Sequence, residues 1–337
     1  MCSSDLGATA LSYTTPNLTA LTRYRVLVNN GACSTFSDTA IVSVDSVSVG
    51  GTIAGSANAC TGTNSTVLTL SGQRGSVVKW QYSTSSTFAT VTDTAVTATS
   101  LTAMNLTATT YYRAVVKNGV CTTANSSTGT VTVFTPPVGG SVSGSSTICS
   151  GSVPASLTLG GGYTGTIQKW QSSTDSLFSS PTDIANTANS TTYTAPALTQ
   201  TTWYRAILTT GSGACTTPSA AAKVTVNPTT IGGTITGPSG VCNGNSVTIT
   251  LGSQVGSIVR WEYTDNNWSS GITPISKTTT SITESVTIAS NRTARTFRAV
   301  VRSGLCLQQY SADFVLPVNT SVTPGTLSGG RDVCTGS

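Results

Sequence analysis

Cysteine is the residue type whose spacing in this chain could support covalent chemistry. The 337-residue sequence contains nine cysteines and no histidine. Six of the cysteines recur as three pairs, separated by 61, 66 and 64 residues within the pairs. This regular spacing predicts one disulfide within each of three repeated units, with buried free thiols as the alternative. The expected pairs are Cys60–Cys121, Cys149–Cys215 and Cys242–Cys306.

The remaining cysteines either continue this register or fall outside it. Cys33 matches the second position of a pair whose first half is absent, and Cys334 matches the first position of a pair whose second half is absent. Cys2 belongs to the opening Met1–Leu6, which resembles a translated sequencing adapter. A disulfide closing a loop of about 60 residues would stabilise its unit by roughly 4 kcal/mol and would place the protein outside a reducing cytosol.

Other catalytic and metal-binding chemistry lacks the necessary residue types. The absence of histidine excludes Ser-His-Asp and Cys-His catalysis, and without a CxxC motif a zinc site is disfavoured. The glutamates, Glu262 and Glu284, do not recur in the other units, which argues against the carboxylate pair of a glycosidase. Calcium sites need several carboxylates, whereas the junctions between units contain at most Asp45. We therefore predict no enzymatic activity, no cofactor and no metal.

Basic residues also recur, one before a tryptophan and one in a later aromatic-Arg-Ala stretch of each unit. If the two strands belong to one sheet, these cations form a row that could contact an acidic polysaccharide. The alternative is a solvated face that its charges keep soluble. Glycan recognition would also favour exposed aromatics, and the best candidate, Trp268, occurs in one copy. The candidate glycan contacts are Lys79 with Arg113, Lys169 with Arg205, and Arg260 with Arg298.

A repeat of about ninety residues must position these side chains. The segments GGTIAGSANAC, GGSVSGSSTIC and GGTITGPSGVC begin at Gly50, Gly139 and Gly232, and GTLSGGRDVC begins at Gly325. The chain is therefore interpreted as a slice of a longer array. The predicted organisation is an assembly scar at 1–6, the C-terminal part of a truncated repeat at 7–47, complete repeats at 48–135, 136–228 and 229–319, and the N-terminal start of a truncated repeat at 320–337.

The local pattern is that of strands throughout the chain. Short runs rich in Val, Ile, Thr and Tyr alternate with Gly, Asn and Ser clusters, and no window shows helical apolar spacing over three turns. Seven strands are expected in the first complete repeat. This predicts an all-β fold of tandem immunoglobulin-like β-sandwich modules in a linear array. The expected strands lie near residues 51–54, 66–71, 77–83, 89–93, 100–106, 111–117 and 129–133.

Alternation along two of these strands predicts which side chains enter the core. In the strand around Trp80, we expect Val78, Trp80 and Tyr82 to face inward, with Lys79 and Gln81 facing outward. The second cysteine lies past the aromatic strand, so the disulfide should tie an edge or end of the module instead of crossing its core. In the later strand the expected inward set is Tyr112, Ala114 and Val116. Over the three repeats, the expected core aromatics are Trp80, Trp170, Trp261, Tyr112, Tyr204 and Phe297.

The combination of GGTIxGSxxxC, LTLSG, KWQxS and LTxTTYYRAVVxNGxC resembles a known family of repeats. These are the immunoglobulin-like repeats of very large surface proteins of Bacteroidetes-type bacteria, including gliding-motility adhesins and other cargo of the type IX secretion system. The resemblance covers nearly everything from Gly7 to Ser337. It implies export across the outer membrane, attachment at the cell surface, and a structural or adhesive role.

Composition and charge agree with an extracellular stalk or adhesive region. Charged residues make up 8% of the chain and the net charge is +5 without a basic run, so a nucleic-acid partner is not expected. No apolar stretch reaches the roughly 20 residues of a membrane span. The expected partners are adjacent repeats of the same chain and extracellular polysaccharide or surface glycans. The alternative function is a spacer or carbohydrate-binding accessory region of a secreted polysaccharide-degrading enzyme.

Overall fold

The computed structural model describes residues 6–320, 322, 324–330 and 335. Except for Leu6, the segment interpreted as an assembly scar lies outside the described residues, as does Cys334. The chain divides into two compact units. The first extends to Pro136 and also contains the loop Thr210–Cys215, and the second contains Pro137–Thr209 and the chain from Thr216 onward.

The N-terminal partial repeat forms four short strands. They pair as two separate two-stranded sheets, β1 with β4 and β2 with β3. Most of their side chains are exposed, because this partial repeat has no second layer of its own to pack against. The strands are β1 (Thr22–Tyr24), β2 (Leu27–Asn30), β3 (Cys33–Phe36) and β4 (Ala40–Val42).

The first complete repeat is a two-layer β-sandwich. One layer has the strand order β10-β7-β5, and the other has the order β6-β13-β11-β8-β9, with β12 also paired to β11. Strand β6 runs parallel to β13, whereas β11 runs antiparallel to both β13 and β8. The strands are β5 (Thr52–Ala54), β6 (Ala57–Cys60), β7 (Ser65–Ser71), β8 (Ser76–Ser83), β9 (Thr92–Thr94), β10 (Ser100–Met104), β11 (Thr110–Lys117), β12 (Ala124–Asn125) and β13 (Gly129–Phe134).

The second complete repeat has the same arrangement of strands. Its smaller sheet has the order β14-β16-β19 and its larger sheet the order β15-β22-β20-β17-β18, with β21 paired to β20. A 3-10 turn at Gly211–Gly213 follows β20. The strands are β14 (Ser141–Ser143), β15 (Ser146–Cys149), β16 (Leu157–Gly160), β17 (Thr166–Ser173), β18 (Thr182–Ile184), β19 (Thr192–Tyr193), β20 (Thr202–Thr210), β21 (Cys215–Pro218) and β22 (Ala222–Asn227).

The third complete repeat again consists of a smaller and a larger sheet. Their orders are β23-β25-β28 and β24-β31-β29-β26-β27, with β30 paired to β29. The expectation of an all-β fold of tandem immunoglobulin-like β-sandwiches is therefore confirmed. The strands are β23 (Thr234–Thr236), β24 (Val241–Cys242), β25 (Ser246–Gly252), β26 (Ser257–Thr264), β27 (Thr273–Ile275), β28 (Ser281–Ser285), β29 (Ala294–Arg302), β30 (Gln309–Tyr310) and β31 (Phe314–Asn319).

A tryptophan lies at the centre of each core, between the two sheets. Trp80, Trp170 and Trp261 are all fully buried. Because a buried indole N–H needs an acceptor, each of them donates to a backbone carbonyl oxygen within its own repeat. The other three expected core aromatics, Tyr112, Tyr204 and Phe297, are at most 4% exposed. The indole acceptors are Ala98 O at 2.9 Å, Ser190 O at 2.8 Å and Thr279 O at 3.1 Å.

The predicted inward face of β8 is wrong at Val78. The pairing with β11 shifts register, so that Lys79 lies opposite Val115 while Val77 lies opposite Val116. This β-bulge leaves Val78 without a cross-strand partner, and a bulge reverses the alternation of side chains. Val77 is therefore buried, while Val78 is 44% exposed. Tyr82 lies on the inward face opposite the buried Tyr112, with the two ring centroids 6.0 Å apart, although it is itself 37% exposed.

Candidate functional site

The disulfides connect different repeats, so the predicted pairings within repeats are wrong. Cys60 is bonded to Cys215, with a Cα–Cα distance of 5.0 Å, and Cys149 is bonded to Cys306, with a Cα–Cα distance of 5.1 Å. In both bonds the first cysteine of one repeat is joined to the second cysteine of the next. The expectation that a bridge would lie at the end of a sandwich was sound, but the partner was misassigned. The pairs Cys60–Cys121, Cys149–Cys215 and Cys242–Cys306 do not form.

The strand directions explain why the two cysteines of one repeat cannot meet. Cys60 ends β6, which runs parallel to β13, so it lies where the last strand of the repeat ends. Cys121 follows β11, which runs antiparallel to β13 and therefore finishes at the opposite end of the sandwich. An eight-residue strand such as β11 spans roughly 26 Å, whereas disulfides require Cα atoms within about 7 Å.

The first cysteine has the same backbone position in all three complete repeats. Cys60, Cys149 and Cys242 lie in parallel register with the final residues of their last strands, which are Phe134, Asn227 and Asn319 respectively. The residue after each cysteine donates its backbone N–H to the carbonyl oxygen of that final residue. We call this arrangement the strand-end site. The three hydrogen bonds are Thr61 N to Phe134 O at 2.9 Å, Ser150 N to Asn227 O at 2.8 Å and Asn243 N to Asn319 O at 2.8 Å.

The second cysteine is carried by the loop after the aromatic-Arg-Ala strand, which we call the docking loop. In the first unit, Cys215 Sγ lies 3.3 Å from Phe134 O, and in the second unit Cys306 Sγ lies 3.4 Å from Pro228 O. The loop approaches so closely that a Cβ on Gly304 would meet the side chain of Asn227 at 2.0 Å. Gly304 has a φ of +51°, a conformation that glycine adopts without steric cost.

A third docking loop contacts the partial N-terminal repeat. Val120 donates its backbone N–H to Asp45 Oδ2 at 3.0 Å, and Cys121 Sγ lies 3.5 Å from the carbonyl oxygens of Asp45 and Ser46. The geometry matches the other two junctions, although the described residues of this partial repeat include no cysteine in the first position. Among the described cysteines, Cys33, Cys121 and Cys242 have free thiols, and the first and last of these are exposed.

The two disulfides overlap along the chain, which gives an unusual covalent connectivity. Cys149 lies between Cys60 and Cys215, and Cys215 lies between Cys149 and Cys306. Three chain segments therefore connect the Cys60–Cys215 bond to the Cys149–Cys306 bond in parallel. They are residues 60–149, 149–215 and 215–306, and cutting any one of them leaves the other two intact.

The recurring cations lie on the outer face of the larger sheet, but they are committed to partners within their own repeat. In the first repeat, Lys79 Nζ pairs with Asp93 Oδ2 at 2.6 Å, and Gln81 Nε2 donates to Asp93 Oδ1 at 2.8 Å. Arg113 Nε donates to Gln81 Oε1 at 2.8 Å and its guanidinium lies 4.3 Å from the Phe88 ring centroid. We call this connected set the sheet-face ladder.

The second repeat reproduces this ladder with the same residue types. Lys169 pairs with Asp183 at 2.5 Å, Gln171 Nε2 donates to Asp183 Oδ1 at 2.7 Å, and Arg205 Nε donates to Gln171 Oε1 at 2.9 Å. The Arg205 guanidinium lies 4.1 Å from the Phe178 ring centroid. Such a repeat of side-chain partners indicates a structural network on the sheet face in both repeats.

The third repeat replaces the two-residue bridge of Gln and Asp by one buried carboxylate. Glu262 is 3% exposed, and it accepts from Arg260 at 2.6 Å and from Arg298 at 2.8 Å. Two cations around one carboxylate satisfy both of its oxygens, which a buried charge requires. The Arg298 guanidinium lies 3.8 Å from the ring centroids of both Trp268 and Tyr310.

Trp268 is not an isolated aromatic, which corrects its interpretation as a feature of one copy. Phe88 and Phe178 occupy the same place above the sheet-face arginine in the other repeats, and all three residues have φ between +54° and +60°. Non-glycine residues rarely adopt this conformation, and the contact with arginine holds it. Trp268 Nε1 also donates to Asp313 at 2.7 Å, so its indole is engaged within the repeat. Sequence alignment of the Ser/Thr/Asn-rich turns before these aromatics could have revealed the match.

Hydrogen bonds and ion pairs within the ladders of the first two repeats also lower the pKa of their aspartates. Hydrogen bonds from Lys79 and then Gln81 hold the pKa of Asp93 below its ordinary value, and Lys169 and Gln171 do the same for Asp183. In each of these two ladders the carboxylate is held by its lysine and its glutamine, and the arginine contacts the glutamine. The carboxylates are more exposed than the lysines that pair with them: Asp93 and Asp183 are 52% and 54% exposed, whereas Lys79 and Lys169 are 35% and 34% exposed.

Two features are absent from the part of the chain that the structure describes. There, no cluster of three or more His, Cys, Asp or Glu side chains could hold a metal ion. Nor does that part of the chain contain a helix long and apolar enough to cross a bilayer.

The fold and the junctions define a class of protein made of tandem immunoglobulin-like β-sandwich repeats with disulfides between successive repeats. The chain belongs to the family described as Domain of unknown function (DUF8696), which matches residues 3–46, 49–135, 138–228 and 231–320. Disulfides of this kind indicate an oxidising, extracellular compartment. No curated protein matches the sequence.

Several solved structures resemble the chain in fold. An adhesin that helps an Antarctic bacterium reach out and bind ice is 13% identical with a TM-score of 0.35, covering 89% of this chain and 82% of that one. A structure from a 1.5-MDa bacterial ice-binding adhesin is 12% identical with a TM-score of 0.34, covering 82% of this chain and 100% of that one. Domains A168–A170 of titin are 12% identical with a TM-score of 0.33, covering 80% and 98%.

Proposed function

We propose that this chain is a non-catalytic stalk or adhesive repeat region of a secreted bacterial cell-surface protein, which extends from the cell and mediates attachment. The observation that supports it most directly is the parallel covalent connectivity between Cys60 and Cys306. A tether fails at its weakest connection, and in a string of independent domains that connection is the single linker between neighbours. Here the disulfides bypass the linkers that follow Phe134 and Asn227.

The surface location and the export route of this proposal follow from the sequence resemblance. Repeats of this pattern resemble those of giant Bacteroidetes-type surface proteins, including gliding-motility adhesins and other cargo of the type IX secretion system. Such proteins fold in an oxidising environment, where staggered disulfides can form and persist. A spacer in a polysaccharide-degrading enzyme would use the same mechanics, and a catalytic domain in the same protein would favour that alternative.

The tether function is tested by cutting the chain under load. A single site for a sequence-specific protease is inserted at Gly72, Gly162 or Gly244, which are exposed turn glycines with open space around them, one in each parallel segment. The full chain then holds a bead to a surface through its two ends. We expect each cut chain to keep its bead until a reductant is added.

The matched control has the same protease site at Gly31, another turn glycine in open space, which precedes Cys60. That part of the chain is a single covalent connection, so cleavage there should release the bead without reductant. Release of the bead after cleavage at Gly162 alone, under oxidising conditions, would contradict the proposed tether mechanics.

A second candidate function is contact with acidic polysaccharide through the outer cations of the ladders. It is favoured by the partial exposure of Lys79, Lys169 and Arg260, whose side chains are 35%, 34% and 37% exposed. Changing all three to serine should reduce retention on an acidic-polysaccharide column at low salt. The control changes Asp93 and Asp183 to asparagine, which removes negative charge and should increase retention. Equal retention of all variants would argue against this contact.

A further inference from the structure

The third complete repeat presents a strand-end site with the same cysteine register and the same backbone hydrogen bond as two sites already bonded to a docking loop. Cys242 lies in parallel register with Asn319, and the Asn243 N–H donates to Asn319 O at 2.8 Å. The same register and hydrogen bond surround Cys60 and Cys149. At both of those sites the cysteine is bonded to the second cysteine of the following repeat.

We propose that the strand-end site at Cys242 and Asn319 is a covalent docking surface for the docking loop of a further repeat of the same family. The partner must supply a cysteine in the position of Cys306, directly after a short loop that follows an aromatic-Arg-Ala strand. It should also have a glycine where Gly304 lies, because a Cβ there would meet the side chain of Asn227, the counterpart of Asn319. The inference rests on the two bonded junctions and does not depend on the proposed tether function.

The docking loop that carries Cys121 also supports this proposal. The docking loop with Cys121 is already seated on Asp45 and Ser46, although the described residues of the partial repeat include no first cysteine. Noncovalent docking therefore does not require the disulfide, and the bond forms once both sulfurs have been brought together. Cys242 is exposed, so its thiol is accessible to the cysteine of a docking loop.

The bond forms by thiol–disulfide exchange with a small-molecule disulfide as the oxidant. The Cys242 thiolate attacks one sulfur of the oxidant, which forms a mixed disulfide and releases one small thiol. The thiolate of the docking loop then attacks the Cys242 sulfur and releases the second small thiol. Two protein thiols are thereby oxidised to one disulfide, and one small disulfide is reduced to two thiols, with two protons balancing the exchange.

The test extends the full chain so that its last residues begin a complete fourth repeat. By sequence, Gly325–Cys334 aligns with Gly233–Cys242, so a second copy of residues 246–320 placed after Ser337 continues the register. The extended chain is oxidised with glutathione disulfide, its free thiols are alkylated, and its peptides are mapped without reductant. We expect nearly all of Cys242 to be joined to the copied counterpart of Cys306, whereas Cys242 in the unextended chain stays alkylatable.

The control is the extended chain with Cys242→Ser, in which the copied cysteine should stay alkylatable and should not bond to Cys334. Burial of the copied counterpart of Trp261 is the check on folding, because Trp261 is fully buried in its own repeat and its indole N–H donates to Thr279 O. A second extended chain, carrying residues 153–228 in place of 246–320, provides an independent partner in the same register. The proposal is overturned if Cys242 stays alkylatable in folded extended chains, or if the copied cysteine bonds to Cys334.

Discussion

Removing the two disulfides one at a time and together should change the maximum length of the chain in a strongly non-additive way. The variants are Cys60→Ser, Cys149→Ser and the double variant, each pulled from its two ends under oxidising conditions. Each single change removes one bond, because the partner cysteine then has no sulfur to meet. The fully unfolded length is set by the shortest covalent path between the ends.

The expected magnitudes follow from the three parallel segments between the bonds. The shortest, from Cys149 to Cys215, has about 66 residues and extends to roughly 220 Å at 3.3–3.6 Å per residue. Removal of one bond leaves the other, which still encloses 155 or 157 residues. The shortest path then grows by only about 25 residues, or roughly 80 Å, whereas removal of both bonds lengthens it by about 180 residues, or roughly 600 Å.

Single-molecule force spectroscopy measures these lengths directly. Bonds within repeats, as the sequence suggested, would give additive increments of about 60 residues, or roughly 210 Å, for each single change. Observing that additivity would refute the staggered connectivity. Cys242→Ser is the matched control, because Cys242 occupies the same strand-end position but has a free thiol, and its extension should equal that of the unchanged chain.

Two further predictions concern a junction and a ladder. Gly304→Ala should lower the free energy of unfolding by roughly 1–2 kcal/mol, because its φ is left-handed while the Asn227 side chain that the new Cβ would meet can rotate away. Gly244→Ala, which has a positive φ in open space, is the control for denaturant titration, and a much larger loss in Gly304→Ala would show that Asn227 is held in place. Because the folded pKa of Asp93 is lowered, its contribution to stability is complete above the unfolded value near 3.9 and is lost as pH falls through the folded pKa. Carboxyl NMR titration should show this lowered pKa, and Lys79→Met should raise it; an unchanged pKa in that variant would exclude the ion pair as its main cause.

Periodic features of the sequence were sufficient to predict the fold, because each of them reflects local burial. Trp80 and its counterparts recur in register, and alternation around Tyr112 identified the buried face of β11 correctly. The seven expected strands of the first repeat all exist near the predicted positions, but β6 and β12 were missed. Both are short, and β6 is an edge strand with two of its four side chains exposed and one buried, so it lacks the apolar alternation on which strand prediction depends.

The missed strand is also the reason why the disulfides could not be predicted. Once β6 is placed parallel to β13, Cys60 must lie at the end of the sandwich where β13 finishes, and Cys121 must lie at the opposite end. Equal spacing of cysteines in a repeat fits pairing within a repeat and pairing between neighbours equally well. Likewise, alternation could not reveal the bulge at Val78, because the extra residue becomes visible only in the pairing of β8 with β11.

The advantage of staggered over internal disulfides cannot lie mainly in the stability of single repeats. In the chain-entropy model, lengthening the closed loop from about 64 to about 155 residues adds less than about 1 kcal/mol, because the dependence on length is logarithmic. An internal bond would also leave every linker as a single covalent connection. A bond from Cys149 to Cys306 instead spans the linker after Asn227, where the docking loop otherwise depends on a few hydrogen bonds such as Ser303 N to Thr230 Oγ1 at 3.0 Å. The stagger therefore reinforces the junctions, which is where a tandem array under tension needs covalent support.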